Sequence, residues 1–162
     1  MKKKGSLNDI IFISVVLFII LTGWLFAYKI MDGFNTEIQA NVDIPADAKA
    51  ASTTLTNHFP GALDNSILFL AVGLGIAALI MAAMVRIHPI FIPVYLILLG
   101  FVIFLSSVFS EIYGNIAESA VMVGISHNMQ IAYNIMHYLP LIIGVFGSLL
   151  AIVMYKSWKD AN

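Results

Sequence analysis

The chain contains no cysteine, which removes disulfides, thiolate nucleophiles, iron–sulfur clusters and cysteine-ligated zinc before any pattern is read. Charge is nearly as scarce. Only 10% of the 162 residues are Asp, Glu, Lys or Arg, against about a quarter in soluble domains, and 60% are apolar. A mean hydropathy of +0.95 would leave a water-soluble chain of this size with more apolar surface than one small core hides. The formal net charge of −1 provides no basic field to hold nucleic acid, so partners are sought among lipids and apolar protein surfaces.

What is present is a set of four long uncharged runs. Crossing a hydrocarbon layer of about 30 Å takes about 20 helical residues. Runs of that length fall at Ile10–Tyr28, Asn65–Val85, Ile87–Ser110 and Ile131–Tyr155, which sets spans at about residues 10–30, 65–85, 87–110 and 131–155. The first is rich in Ile, Leu, Val and Phe, with Trp24 and Tyr28 near one end, where amphipathic rings favour the headgroup boundary. Its apolar core is too long for a signal peptide and no small-x-small cleavage site follows Tyr28, so it reads as an uncleaved anchor. Arg86 stops the second run and Glu111 the third; only Arg86 to Pro89 separates these two, which predicts a tight central hairpin. Pro89 and Pro93 fall in the first turns of the third span, where a missing N–H costs little. Pro140 either bends the fourth run or marks the start of its embedded part. The fold class is therefore an all-α integral membrane protein, a single membrane domain over residues 1–162 with four transmembrane helices.

Basic residues set the orientation. With the N-terminus inside, Lys2, Lys3, Lys4, Arg86, Lys156 and Lys159 are cytoplasmic and only Lys29 and Lys49 lie outside. Asp32, Glu37, Asp43, Asp47, Asp64, Glu111 and Glu118 then share the outer side. Both termini are expected on the cytoplasmic or inner face.

Two outer segments remain, residues 31–64 and 111–130. In the first, Phe34, Ile38 and Val42 recur every four residues, as a continuation of the first helix would place them, and Pro45 is placed to start a short helix from Ala46 to Asn57. Gly33, Pro60 and Gly61 punctuate the rest. The segment either lies on the headgroups or meets a neighbouring subunit or protein shell. In the second, Ile112, Ile116, Ala120, Val123 and Met129 can share a helix face, with Glu118, Ser126, His127 and Asn128 elsewhere around it. That pattern predicts an interfacial amphipathic helix before the fourth span, or a long tilted helix running into it.

Catalytic chemistry is thin. An ionisable group inside a span is the usual mark of a pump, transporter or voltage sensor, and the four spans read without one. No P-loop or G-x-S-x-G occurs. His88 adjoins Arg86, while Asn134 and His137 share a helix face whose simplest use is a hydrogen bond to a neighbouring helix. His58, His127 and His137 lie on the outer side without the spacing of a zinc site. No cofactor is expected. The small residues are better placed: Ala71, Gly75, Ala78 and Ala82 repeat at helical spacing, as do Gly144 with Ser148 and Gly147 with Ala151. Such faces let backbones approach closely, within one protomer or between copies.

The stretch Arg86-Ile87-His88-Pro89-Ile90-Phe91, the apolar run after it, and Val108-Phe109-Ser110-Glu111-Ile112-Tyr113-Gly114-Asn115-Ile116-Ala117 resemble small multi-pass membrane proteins of bacterial and archaeal viruses with internal membranes, and of related mobile elements. There a Phe-Ser-x-x-Tyr segment similarly closes a long span; the acidic pair that tends to follow it is here reduced to Glu118. The resemblance implies a structural protein of a viral membrane whose outer segments meet a capsid lattice. The expectation is a non-enzymatic, multi-copy protein of a virion or similar assembly, in a viral internal membrane or a prokaryotic inner membrane. It would contact lipid, further copies of itself and other membrane or capsid proteins. A small inner-membrane subunit of a secretion or conjugation complex and a holin-like pore former are the alternatives.

Overall fold

A computed structural model describes residues 7–84 and 89–159. Six α-helices follow in order: α1 Leu7–Ala40, α2 Ala46–Met84, α3 Ile92–Ala117, α4 Val123–Ser126, α5 Gln130–His137 and α6 Leu139–Lys159, with a 3-10 turn at Pro89–Phe91 before α3. Four of them are long and apolar enough to cross a membrane, over Ile11–Ala40, Ala46–Ile80, Ile92–Ala117 and Leu139–Lys156, and the protein is an integral membrane protein.

Helices α1 and α2, at 34 and 39 residues, are roughly 51 and 58 Å long at about 1.5 Å per residue, well beyond one bilayer thickness. The helical continuation expected from Phe34 and Ile38 runs to Ala40; Val42 lies past its end and is 90% exposed. The backbone N–H of Asp43 donates to Asn41 Oδ1 at 2.9 Å, a local turn that competes with further helix. Ile44 precedes proline, which disfavours helical geometry there. Pro45 then opens α2, its carbonyl accepting from the Lys49 N–H at 3.1 Å. The second helix starts where expected but does not stop at Asn57. It continues through Pro60 and Gly61 into the span, so these residues do not punctuate a loop. Pro60 lacks the N–H that would reach back four residues to the Thr56 carbonyl, and its ring is buried against the bundle.

The long helices form a ring in which α1 packs on α2, α2 on α6, α6 on α3 and α3 on α1. Consecutive helices α2 and α3 therefore sit on a diagonal, and the expected central hairpin is not a mutually packed pair among the described residues. One buried stripe per helix faces the axis: Leu17, Leu21, Leu25 and Tyr28 on α1, Tyr95, Leu99, Val102, Ser106, Tyr113 and Ala117 on α3, and Leu139, Ile143, Leu150 and Met154 on α6. Steps of three, four and seven keep each stripe on one helical face. The opposite faces are apolar as well; Phe69, Ile97 and Phe104 are 82%, 75% and 64% exposed, as lipid-facing residues should be.

Two departures shape one end of the bundle. Past Tyr28 and Phe59, whose rings stack at 6.4 Å, α1 and α2 continue as a two-helix hairpin in which no side chain from residue 29 to 55 is buried. Its seam is polar: Gln39 Nε2 donates to the Lys49 carbonyl at 2.9 Å and to Thr53 Oγ1 at 3.1 Å, Lys49 Nζ donates to the Gln39 carbonyl at 3.1 Å, and Ser52 Oγ to Asn35 Oδ1 at 2.9 Å. Beside this hairpin the chain after α3 folds inward as α4 and α5, burying Met122, Ile125, Ser126, Met129, Ala132 and Met136. The buried face differs from the one read in the sequence: Ile112 belongs to α3 and is 42% exposed, and Val123 is 40% exposed. Tyr138 separates α5 from α6, with Pro140 in the first turn of α6, so the run 131–155 is two helices.

Candidate functional site

The hairpin end gathers most of the polar side chains that the bundle buries. Helix α5 has no side-chain cap of its own, and Asp64 of α2 supplies one from across the bundle. Its two carboxylate oxygens accept from the backbone N–H groups of Ile131 and Ala132, both at 2.9 Å. A carboxylate at a helix N-terminus satisfies orphan donors and matches the positive end of the helix dipole. Asp64 is only 7% exposed: the residue expected on the outer side just ahead of the second span lies inside α2 and faces the core. Near it, the Tyr113 hydroxyl is buried without a hydrogen-bond partner among the described residues, within electrostatic reach of Asp64 and Tyr133. Ser126 Oγ donates to the Ala117 carbonyl at 3.0 Å, tying α4 to the end of α3, and Asn128 Nδ2 makes a long contact to Tyr28 Oη at 3.4 Å.

An open pocket lies next to this cap, lined by Glu118, Val123, Ser126, His127, Gln130, Tyr133 and Asn134. Tyr133 Oη donates to Glu118 Oε1 at 2.7 Å. The tyrosine lies in α5, outside the fourth span, and its pKa is raised above the usual 10, first by that hydrogen bond, then by burial and by the Glu118 charge. The His137 ring stacks on Tyr133 at 5.9 Å and meets Tyr138 edge-on at 4.9 Å, while its carbonyl accepts from Ser110 Oγ at 3.2 Å. Asn134 and His137 are both exposed. Among the described residues no three of His, Asp or Glu converge as a metal site would require, and His58, His127 and His137 are not brought together.

The small residues divide. On α6, Gly147 sits where an added Cβ would come within 2.2 Å of a Leu99 methyl of α3, and Gly144 faces Ile103. Tyr95 Oη donates to the Gly147 carbonyl at 2.9 Å, so this glycine serves both a steric fit and a buried hydrogen bond. Ser148 is exposed and donates to the Gly144 carbonyl of its own helix at 2.7 Å; Ala151 packs partly buried against the core. Ala71, Gly75 and Ala78 instead line an apolar cavity of about 110 Å³ with Ile13, Ser14 and Leu17 of α1 and Phe146 and Leu150 of α6. A Cβ on Gly75 would press the Phe146 ring at 3.0 Å. The Ala82 side chain lies outside the described ones, as do Lys2, Lys3, Lys4, Arg86 and His88 altogether; Lys156 and Lys159 are exposed at the end of α6.

No family model, curated protein or solved structure matches the chain. Its geometry alone carries the functional reading. Sequence reasoning missed Asp64 because the amides it caps lie 67 and 68 residues away. It missed the Tyr95–Gly147 pairing for the same reason, at a separation of 52.

Proposed function

We propose that this chain is a non-enzymatic, multi-copy structural membrane protein of a virion or similar assembly, which organises a bilayer and reaches from it to an outer protein layer. One observation supports the reading most: α1 and α2 do not end with the bundle but continue as a paired hairpin with Phe34, Val42 and Leu55 exposed at 69%, 90% and 58%. A hairpin held upright by a polar seam presents apolar side chains away from the lipid, which is what a contact to a neighbouring protein uses. The chain lies with both termini inside and the hairpin outside, in a viral internal membrane or a prokaryotic inner membrane. Spans two and three cross the bilayer in opposite directions, and α5 lies at the outer interface. Quantifying the protein in washed, purified particles tests the proposal; stoichiometric recovery is expected, and absence or a trace would refute it.

A second reading, a subunit held inside a larger membrane complex, draws on the apolar cavity of about 110 Å³ along Ala71, Gly75 and Ala78, which has the size to take one apolar side chain of a partner. Purification in mild detergent would then return a stable hetero-complex in place of self-association or capsid proteins.

A further inference from the structure

We infer that the tip of the α1–α2 hairpin docks a protein segment carrying a basic side chain beside an apolar one. The inference rests on the reading that the hairpin stands outside the bilayer, and it names what the hairpin meets there.

The surface is a shallow notch formed by Phe34, Ile38 and Ala40 at the end of α1 with Asn41 and Ile44 of the connection. Phe34 and Ile38 are one helical turn apart and share a face, so their side chains form a single apolar wall. Glu37 stands on the same rim, and Asp43 is next to Ile44 in the chain. Neither carboxylate has a hydrogen bond or ion pair among the described residues. Of the two cations on the hairpin, Lys29 stands at its base, away from the notch, and the Lys49 ammonium is turned into the seam, on the Gln39 carbonyl. Asp32, Glu37, Asp43 and Asp47 therefore leave the projecting part negative around an apolar notch.

This charge decides between occupants. An anionic lipid surface repels it, and a second copy would bring four acids against four. A partner with Lys or Arg flanking a Leu-sized side chain satisfies both features at once: its apolar group covers Phe34 and Ile38 while its cations pair Glu37 and Asp43.

The test uses the full chain reconstituted in zwitterionic nanodiscs, with a short fluorescent arginine–leucine peptide as the probe and a glutamate–leucine peptide of equal length as its control. The arginine peptide should bind above the level of empty nanodiscs, and the glutamate peptide should not. E37Q with D43N should weaken binding by up to about tenfold at low salt, from two exposed charge contacts. F34S with I38S should weaken it with the acids intact. Both pairs lie on the exposed hairpin, and circular dichroism of each variant confirms that the helices persist. No binding of the arginine peptide, equal binding to the variants, equal binding of the two peptides, or pairing of nanodiscs through their hairpins would overturn the inference. Recovery of the protein in purified particles is measured separately, so a protein present in particles that ignores the peptide refutes this inference and leaves the structural role standing.

Discussion

Asp64 joins the second long helix to the short helix α5. Because it is buried and accepts two backbone N–H bonds, replacing it leaves those donors unpaired in an environment that water reaches poorly. Asp64→Ala should lower stability by roughly 1.5–3 kcal/mol, and Asp64→Asn, which keeps one acceptor, by less. Thermal unfolding in mild detergent, followed by circular dichroism, checks both the size and the order. Tyr133 gives a second prediction at this scale. Its raised pKa means that the hydrogen bond to Glu118 contributes fully below the ordinary tyrosine range and is lost as pH rises through the folded value. In an ultraviolet titration Glu118→Gln should move one tyrosine out of the late-ionising fraction, back toward 10. An unchanged titration would contradict the contact.

At the scale of elements, what local pattern encodes was legible and what distant contacts decide was not. Three of the four apolar runs lie in single long helices, the fourth is divided between α5 and α6, and Pro45 did mark the start of α2. Pro140, which left two outcomes open, marks the start of α6. Pro60 was misleading because a local helix breaker is overridden when the helix on both sides is held by neighbours and the ring itself is buried. The amphipathic face of residues 112–129 was misassigned because α3 runs on to Ala117 and the chain then turns, which resets the helical phase between Ile112 and Val123. The α3–α6 seam supplies the test of packing. Lipid tails are as apolar as the helices, so association relies on close fit, and Gly147 against Leu99 is the closest approach that any described glycine makes. Gly147→Ala should destabilise by about 1–3 kcal/mol, and Leu99→Ala should cost less in that background than in the native chain. A double-mutant cycle with no coupling between the two sites would show that the helices do not meet there.

For the whole molecule, the central claim is that the chain threads the bilayer four times, with both ends on one side and the α1–α2 hairpin on the other. Basic residues at 2–4, 86, 156 and 159 argue for the side, and the ring of four long helices is consistent with the count. The native chain has no cysteine, so any introduced thiol is the only one. The most direct measurement is labelling of Val42→Cys and Lys159→Cys with a membrane-impermeant maleimide, in cells expressing the full chain, before and after permeabilisation. The account predicts that position 42 reacts in intact cells and position 159 only after the membrane is opened; reaction of both from the same side, or the reverse order, would contradict it.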